Sequence, residues 1–354
     1  MVSYDKIREA NAALVASQPL VAVFFGGATG IGSYVFAQLA ATHGTTGRGL
    51  RAYIVGRNAQ AAAANIAEAR RVCPEGSFHF VQAKDLALLR DVDEACAEVE
   101  RLERDNAGRD SVVGGPRIDL LYMSQALFGW PPRTDTDEGL GYQMSLLYYS
   151  RARCVWQLRP LLLASKLPAH IVSIFAAGLE RDLDANDLSL RDTTSYGQVK
   201  LRNHTMYIMT FFFEEMARQN AGRMSLSNVF PGLVMTNAFY NDILPGWFKL
   251  LWTLLQPITR LVAFSSAECG QRMLFMATPH FPAKRETPDS NAVLGTDNVR
   301  GSGSYSVQQD SEITAEKKMT QKYQDVRAKG LAKKCWDHTM DAFQTIESGK
   351  RFTG

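Results

Sequence analysis

The stretch PLVAVFFGGATGIG, residues 19–32, indicates how the chain folds. Its first half is an unbroken apolar run rich in valine and phenylalanine, which is typical of a strand buried on both faces. Its second half is rich in glycine and places Gly26, Gly30 and Gly32 at the start of a helical pattern. Such a turn lets backbone N–H groups and a helix N-terminus approach a phosphate. The stretch therefore predicts a nucleotide-binding strand–turn–helix unit.

The spacing of these glycines is G-x-x-x-G-x-G, which differs from the G-x-G-x-x-G of the common dinucleotide fingerprint. Side chains at the glycine positions would hold the backbone away from a phosphate, whereas glycine leaves that approach open. We expect the phosphate-binding turn to use Gly26, Thr29, Gly30, Ile31 and Gly32.

Apolar runs alternate with helical patterns along most of the chain. The runs that predict strands lie at 19–27, 49–57, 77–86, 117–126, 169–178 and 223–236. Strands joined by helices of the intervening length form a parallel sheet covered on both faces. The sequence thus predicts an α/β fold, a Rossmann-type doubly wound parallel sheet in a single domain.

Three segments divide the chain. Residues 1–17 predict an N-terminal helical segment, and residues 18–282 predict the Rossmann-fold domain. Residues 283–354 predict a loop and a C-terminal helical extension. Within that extension, 283–311 is polar and rich in glycine and serine, which predicts a long surface connection. The amphipathic stretch 312–343 predicts one helix, docked on the domain or on a second subunit.

The composition excludes several classes of protein. The 354 residues carry a formal charge of +3 with scattered basic residues, which argues against nucleic-acid binding. Five dispersed cysteines without a C-x-x-C pair indicate reduced thiols in a cytoplasmic protein and no metal site. The N-terminus has charges where a secretory signal has its apolar core. No apolar run approaches about 18 residues, so no membrane-spanning helix is expected.

The end of the second predicted strand indicates which nucleotide binds. Proteins that bind NAD commonly carry an acidic residue there, which accepts a hydrogen bond from the ribose 2′-OH. Arg57 and Asn58 stand at this position, and a guanidinium suits a 2′-phosphate. The alternative is a solvated surface arginine. NADP(H) is therefore favoured over NAD.

The third predicted strand ends in Asp85 and Leu86. A carboxylate at this edge suits the amino group of adenine, and the leucine suits the face of the ring. As an alternative, Asp85 caps the helix that follows, and the two roles are compatible.

The stretch TSYGQVK, residues 194–200, places Tyr196 and Lys200 four positions apart. In a helix this spacing brings both side chains to one face. A nearby cation favours the ionised phenol, so it moves the pKa of a tyrosine from about 10 toward the working pH. The pair is a candidate acid/base site. His204 lies on the Lys200 face, where a buried, hydrogen-bonded histidine is the preferred interpretation.

Together these motifs resemble the short-chain dehydrogenase/reductase superfamily. The resemblance rests on GGATGIG, Arg57, KDL at 84–86, YGQVK and PGLVMT after the sixth predicted strand, and it covers roughly residues 18–280. The neighbourhoods MSLLYYSR and FFFEEMA look most like fungal secondary-metabolism members. The resemblance implies an NADP-dependent oxidoreductase.

The resemblance also implies roles for the matching residues. Tyr196 would be the general acid/base toward the substrate carbonyl or alcohol. Lys200 would lower the pKa of Tyr196 and contact the nicotinamide ribose. The residues expected to flank the carboxamide end of the nicotinamide are Pro231, Gly232, Val234 and Thr236.

Two motifs of the superfamily are altered. The N-N-A-G that usually ends the fourth strand is replaced by Met123-Ser124-Gln125-Ala126, where small residues such as Ser124 still permit close approach to the adenosine. The helix asparagine that holds a water for proton relay falls near Ser145. The relay is therefore altered or absent.

The strand-five serine that binds the reacting oxygen in the superfamily is displaced. Alignment on the alanine and glycine that follow puts Phe175 at its position, and Ser173 stands two residues earlier on the same face. Ser173 is a candidate for the catalytic role, and a strand hydroxyl bonded to backbone is the alternative. Residues 179–192 look like an insertion, so Thr194 or Ser195 is a further candidate.

Residues 237–264 lie where the superfamily places its substrate lid. The aromatic residues of this segment are Phe239, Tyr240, Trp247, Phe248 and Trp252. They predict a pocket for a bulky apolar small molecule, with contact between 246–264 and a membrane interface as the alternative. A homodimer or homotetramer is implied by the resemblance alone.

Three functions are compatible with these residues. The first is an NADP(H)-dependent ketoreductase or alcohol dehydrogenase acting on a bulky hydrophobic substrate in secondary metabolism. The second is an enzyme of the same fold that uses Tyr196 for isomerisation, dehydration or cyclisation, which the displaced serine and missing asparagine favour. The third is a nucleotide-binding regulatory module, which the presence of both Tyr196 and Lys200 argues against. The first function is preferred.

Overall fold

Seven strands form one sheet in the computed structural model, which describes residues 1–109, 112–285, 290–314 and 317–354. The strands are β1 Leu20–Phe25, β2 Leu50–Gly56, β3 Ser77–Gln82, β4 Leu120–Met123, β5 Ala169–Ile174, β6 Met224–Val229 and β7 Ser304–Val307. All neighbours pair in parallel, in the order β3-β2-β1-β4-β5-β6-β7. The predicted doubly wound α/β fold is confirmed.

Helices cover both faces of the sheet. They are α1 Tyr4–Ser17, α2 Gly30–His43, α3 Ala59–Val72, α4 Leu89–Ala107, α5 Tyr142–Met144, α6 Ser150–Leu163, α7 Gln198–Gln219, α8 Gly246–Val262, α9 Ser266–Phe275, α10 Lys317–Ala328 and α11 Leu331–Glu347. A π-helical segment, Ser145–Tyr149, joins α5 to α6. One apolar core lies under α1, α2, α3 and α9, and the other lies under α4, α6, α7 and α11.

The sheet places a crevice beside the end of β1. The chain runs from β1 to β2 on one side and later returns to β4 on the other, so the two crossovers leave this point in opposite directions. At the carboxyl edge Phe25 pairs with Met123, which pairs with Ser173. Ligands of open α/β sheets bind where the strand order reverses in this way.

The polar stretch 283–311 contains β7, so the prediction of a surface connection is wrong for Ser304–Val307. The apolar residues Tyr305 and Val307 are fully buried, and the intervening serines hide the strand pattern in the sequence. Ser306 is buried, and its hydroxyl is satisfied there because it donates to Thr314 Oγ1 at 3.1 Å. The sheet therefore extends past the domain boundary predicted at residue 282.

The C-terminal segment predicted as one helix is divided into α10 and α11. Gly330 adopts a left-handed conformation, with φ of 71°, immediately before α11. Both helices pack on α7, since Tyr323 meets Phe211 edge-on with ring centroids 5.7 Å apart and Trp336 stacks on Phe212 with ring centroids 5.6 Å apart. The extension is thus docked on the same chain.

The structure adds two observations on the class of the protein. Within the four described ranges, no helix has the length and apolar character needed to cross a bilayer. The five cysteines are free thiols, and each is buried.

Candidate active site

The glycine turn joins β1 to α2 at the carboxyl edge of the sheet. Gly26 has φ of 76°, and a Cβ there would lie 2.7 Å from the backbone nitrogen of Gln125. At Gly32 a Cβ would lie 2.4 Å from Ser124 Oγ. These two glycines therefore let the turn pack against the end of β4. Gly30, with φ of 62°, differs because, apart from its chain neighbours and the backbone of its own helix, no heavy atom of the described residues lies within 4 Å of its Cβ position.

This geometry fits a pyrophosphate. The open space at Gly30 lies at the first residue of α2, where helix N–H groups have no intrahelical partner. Thr29 precedes the helix in an extended conformation and is exposed, and Ile31 follows within the first turn. A helix N-terminus with an unobstructed backbone is a site for an anionic group. The structure brings the five predicted turn residues together at this point.

Ser124 ties the end of β4 to the glycine turn. Its hydroxyl donates to the carbonyl oxygens of Phe25 and Gly26, each at 3.3 Å. A larger residue at this position would push the turn away from β4, as the 2.4 Å approach to the Cβ position of Gly32 indicates. The small residue predicted near the adenosine therefore shapes the turn itself.

The residues that follow β2 lie near those that follow β3. Arg57 is exposed, and the side chain of Asn58 accepts a hydrogen bond at the N-terminus of α3. Asp85 accepts from Tyr142 Oη at 3.2 Å, and Leu86 is buried. Burial raises the pKa of Tyr142, the Asp85 charge raises it further, and the Arg57 charge lowers it. Arg57 and Asp85 thus flank one tyrosine, at the edge predicted for the adenosine 2′-phosphate.

Tyr196 and Lys200 have different partners in the structure. Tyr196 precedes α7 and Lys200 lies in its first turn, because the helix begins at Gln198. The Tyr196 hydroxyl donates to Gln143 Oε1 at 3.2 Å. Lys200 Nζ donates to Ser195 Oγ at 2.8 Å and to Asp184 Oδ2 at 3.2 Å. The shared helix face predicted from the four-residue spacing therefore does not describe this arrangement.

The environment of Tyr196 favours the neutral phenol. Burial raises the pKa of Tyr196, and the opposing cation is Arg133, from the loop that follows β4. The Arg133 side chain is itself buried and pairs with Asp135 at 2.6 Å. The proton therefore stays on the phenol at neutral pH.

Ser173 lies inside the molecule and is held by a buried arginine. Arg151, in α6, donates to Ser173 Oγ at 2.9 Å and to the carbonyl oxygens of Ile174 at 3.0 Å and Gln125 at 2.8 Å. Burial lowers the pKa of Arg151 to about 9. Both side chains are fully buried, whereas Phe175 is partly exposed. Arg151 thus joins the end of β4 to the end of β5 through its hydrogen bonds to Gln125, Ser173 and Ile174.

The other predicted hydroxyl groups have local partners. Ser145 is fully buried and donates to Ala87 O at 2.6 Å. Thr194 and Ser195 donate to the two carboxylate oxygens of Asp192, at 2.6 and 2.8 Å.

His204 is buried, and its Nε2 accepts from the Asp184 N–H at 3.0 Å. Burial lowers the pKa of His204 to about 4, so the ring is neutral at physiological pH. The interpretation as a buried, hydrogen-bonded histidine is confirmed.

The segment PGLVMT runs from β6 back toward α2. Pro231 is buried, and Gly232 has φ of 75°, where glycine is favoured. The carbonyl of Met235 accepts from Tyr34 of α2 at 3.1 Å, and Val234 bridges to Phe264. Thr236 Oγ1 accepts from the N–H two residues on, at 3.4 Å. The contact with Tyr34 brings this segment beside the helix that starts at the glycine turn.

The predicted lid packs on aromatic residues from the loop that follows β4. Phe239 stacks on Trp252 with centroids 4.0 Å apart and meets Phe128 edge-on at 4.9 Å. Trp130 meets Phe248 at 5.0 Å. Phe128 and Trp130 were absent from the sequence predictions, although the aromatic, glycine- and proline-containing stretch LFGWPP carries the signal.

One face of α8 is exposed and apolar. Trp247, Leu250 and Leu254 are each about two-thirds exposed and lie at helical spacing. The alternative of contact with a membrane interface stays a prediction.

Two of the cavities outside the glycine turn differ in their distance from the predicted chemistry. One, of about 550 Å³, is lined by Lys200, Asp184, Ser195, Asn203 and their neighbours. The larger, of about 1150 Å³, lies at the opposite edge of the sheet between α1 and the starts of β1, β4 and β5. Its position separates it from the predicted chemistry, so its size does not mark the active site.

Known proteins with similar sequences are oxidoreductases by name. No family model matches the chain. The chain is 37% identical to the short-chain dehydrogenase/reductase SAT2 of Stachybotrys chartarum, over 98% of each protein. It is 29% identical to oxidoreductase AN1596 of Emericella nidulans, over 96% of this chain and 97% of that protein.

A solved structure with the same fold is the 3-oxoacyl (acyl-carrier-protein) reductase of Agrobacterium tumefaciens C58 with NADP bound. Its TM-score is 0.53 at 17% identity, and the match covers 75% of this chain and 90% of that chain. At this identity the similarity shows the fold.

Proposed function

The chain belongs to the short-chain dehydrogenase/reductase family, and from this premise we propose that it reduces a ketone on a bulky apolar substrate with NADPH. The observation that carries the proposal is the open glycine turn at the same sheet edge as Tyr196. Gln143 links Tyr196 to that edge, because it also donates to Leu127 O, in the loop that leaves β4, at 3.3 Å. The likeness to fungal secondary-metabolism proteins, together with the fungal relatives, supports a role in secondary metabolism.

NADP(H) is the proposed cofactor, and the residues of the carboxyl edge would hold it. The turn residues would bind the pyrophosphate, and Ser124 would shape that turn. Arg57 and Asn58 would meet the 2′-phosphate, whereas Asp85 and Leu86 would meet the adenine. The residues proposed for the nicotinamide end are Pro231, Gly232, Val234, Thr236 and Lys200. The NADP bound to the structural relative supports the same choice of nucleotide.

When held by these residues, NADPH would supply the hydride that the substrate carbonyl carbon receives. Tyr196 donates its phenolic proton to the carbonyl oxygen, and the resulting tyrosinate is reprotonated from solvent. Burial keeps the proton on Tyr196 until the substrate arrives. The Lys200 ammonium donates to Asp184, in the inserted loop, and to Ser195, just after that loop. Contact with the nicotinamide ribose therefore requires the ammonium to leave Asp184.

Ser173 and Ser145 take supporting roles in the proposal. Both are fully buried, and their hydroxyl groups bond to Arg151 and to Ala87 O respectively. Tyr196 is therefore given the direct contact with the reacting oxygen, while Ser173 with Arg151 fixes the ends of β4 and β5.

The aromatic cluster of Phe128, Trp130, Phe239, Phe248 and Trp252 supports a bulky apolar substrate. The free cysteines support a reducing compartment, for which we propose the cytoplasm. A homodimer or homotetramer stays a prediction.

The proposal is tested by mixing the purified chain with NADPH and a panel of bulky apolar ketones. We expect the nicotinamide absorbance to fall in step with formation of the alcohol. Conversion of a panel member without loss of NADPH would contradict reduction and favour chemistry without net redox, for which the burial of Ser173 is the supporting observation.

Replacing Arg57 with leucine is expected to raise the Kd for NADPH about 10- to 100-fold, because a charge-assisted contact to the 2′-phosphate is lost. The Kd for NADH should stay unchanged. Calorimetric titration of both nucleotides measures the effect. Arg71→Leu, at an exposed arginine near the end of α3, is the matched control. Equal weakening of NADPH and NADH would contradict the role of Arg57.

A further inference from the structure

The residue that receives the Tyr196 hydrogen bond, Gln143, lies in α5 just before the π-helical segment. Only 5% of its surface is exposed, and its amide meets four groups. Oε1 accepts from Tyr196 Oη at 3.2 Å and from Gln198 Nε2 at 2.8 Å. Nε2 donates to Leu127 O at 3.3 Å and to Gly129 O at 3.4 Å. Both ends of the amide are thus engaged.

These contacts determine which way the Gln143 amide points. The carbonyl groups of Leu127 and Gly129 only accept hydrogen bonds, so the NH₂ end of the amide must face them. The oxygen end then faces Tyr196. An amide oxygen only accepts, so the phenol must be the donor and must keep its proton. Rotation of the amide would lose both bonds to the loop after β4.

We propose that Gln143 is a positioning residue that holds the Tyr196 hydroxyl as a hydrogen-bond donor, ready to protonate the oxygen of a substrate carbonyl. This inference rests on the proposed function and adds a residue to it. The substrate oxygen replaces Gln143 Oε1 as the acceptor when it enters. After proton transfer the tyrosinate faces the fixed amide oxygen, which disfavours the ionised phenol and promotes its reprotonation. The arrangement therefore keeps Tyr196 in the protonated form that reduction of a carbonyl requires.

The π-helical segment accounts for the position of Gln143. A π segment shifts the residues before it relative to the helix that follows, and such segments are frequent at functional sites. Here it separates Gln143, which reaches Tyr196, from α6, which carries Arg151. Gln143 thus faces the phenol while Ser145, two residues later, is turned toward Ala87 O.

The charged groups around Tyr196 come from the loop after β4, from the loop before α7 and from α7 itself. Arg133, from the loop after β4, lowers the pKa of Tyr196 and is paired with Asp135. Lys200, on α7, is paired with Asp184. Asp192 is bound by Ser195, next to the phenol in sequence. The substitutions that test Gln143 leave all these groups in place, so a shift in the Tyr196 titration reports on Gln143.

Gln143→Met keeps the length of the side chain and removes the acceptor. We expect the pKa of Tyr196 to fall by about one unit, since a hydrogen bond to the neutral form is lost. Gln143→Glu adds a negative charge beside the phenol, so the pKa of Tyr196 should rise. In activity, reduction requires the protonated phenol, and its rate falls as the pH rises through this pKa. That fall should move to lower pH in Gln143→Met and to higher pH in Gln143→Glu.

The titration is read by ¹³C NMR of protein labelled at the tyrosine Cζ, in which the Tyr196 resonance is the one that Tyr196→Phe lacks. Gln157→Met, at a glutamine of α6 that bonds Asp93 at 2.8 Å, is the matched control and should leave the titration unchanged. Opposite shifts in Gln143→Met and Gln143→Glu support the inference. An unchanged titration in both, or shifts of one sign, would overturn it.

The NMR measurement needs no substrate, so it separates the inference from the proposed function. A chain that oxidises no NADPH with any ketone, yet shows the opposite shifts, would overturn the function and keep the role of Gln143 toward Tyr196. A chain that reduces ketones, but in which neither Gln143 variant shifts the Tyr196 titration, would keep the proposed function and overturn the role of Gln143.

Discussion

Replacing Tyr196 with phenylalanine is expected to lower kcat/KM for ketone reduction by about 10²- to 10⁴-fold, the usual contribution of a positioned general acid. The substitution removes the phenolic oxygen and keeps the ring, which packs against the core under α7. The substitution removes the hydrogen bond to Gln143 Oε1 and changes no contact of the glycine turn or of Arg57. NADPH affinity should therefore stay within about twofold of the wild type. Steady-state rates and calorimetric titration measure the two quantities.

Tyr207→Phe is the matched control for this result. Tyr207 lies on α7, and its hydroxyl donates to Arg181 O at 3.5 Å, outside the proposed site. We expect unchanged kcat/KM in this variant. Equal losses in Tyr196→Phe and Tyr207→Phe would mean that the tyrosine substitutions act through the fold, and full activity in Tyr196→Phe would remove Tyr196 from the chemistry.

Replacing Glu103 with glutamine is expected to lower the free energy of unfolding by about 3–5 kcal/mol. Glu103, on α4, accepts two bonds of 2.7 Å from Arg51, on β2, and both side chains are fully buried. It also accepts from Tyr53 Oη at 2.8 Å and from the Arg117 N–H at 3.1 Å. Glutamine keeps the shape and removes the charge, so the Arg51 cation stays buried without this carboxylate.

An exposed pair on the same helix provides the comparison. Glu100 accepts from Arg104 at 3.0 Å, but both side chains reach solvent. Glu100→Gln should cost less than about 1 kcal/mol, since water screens the charges and replaces the bond. Urea denaturation of both variants gives the difference. A loss at Glu103 no larger than the loss at Glu100 would show that the buried pair contributes little to holding α4 on β2.

The sheet could be predicted because most of its strands are rich in apolar and β-branched residues. β1, β2 and β5 are buried along their full length, so composition and spacing alone mark them. β7 escaped this reasoning because Ser304 and Ser306 are buried with hydrogen-bond partners, and a buried serine looks like a surface residue in a sequence. Pairing with β6, which only the fold reveals, is what makes this segment a strand.

The glycine turn could be predicted because it is local. Its requirements are met by residues within one short stretch, from Gly26 to Gly32. The partners of Tyr196 and Lys200 could not be predicted, because they depend on the paths of two loops. Gln143 is 53 residues from Tyr196 along the chain, and Asp184 is 16 residues from Lys200. No spacing rule joins such residues.

Ser173 illustrates a different limit. The alternation of side chains along a strand identifies the face on which a hydroxyl lies. It does not reveal that α6 covers that face. There the Arg151 side chain donates a hydrogen bond to the Ser173 hydroxyl. The altered motif at the end of the fourth strand does not indicate Arg151 either. Arg151 donates to the backbone carbonyl of Gln125, and the identity of the residue at 125 does not predict a bond to its backbone.

The central claim is that hydride from NADPH and a proton from Tyr196 reach one substrate carbonyl. It is tested most directly with NADPH deuterated at the nicotinamide carbon that donates the hydride, followed by mass spectrometry of the alcohol formed from a bulky apolar ketone. The account predicts one deuterium at the carbinol carbon, with formation of this product lost in Tyr196→Phe. A product that depends on Tyr196 and carries no deuterium would contradict it.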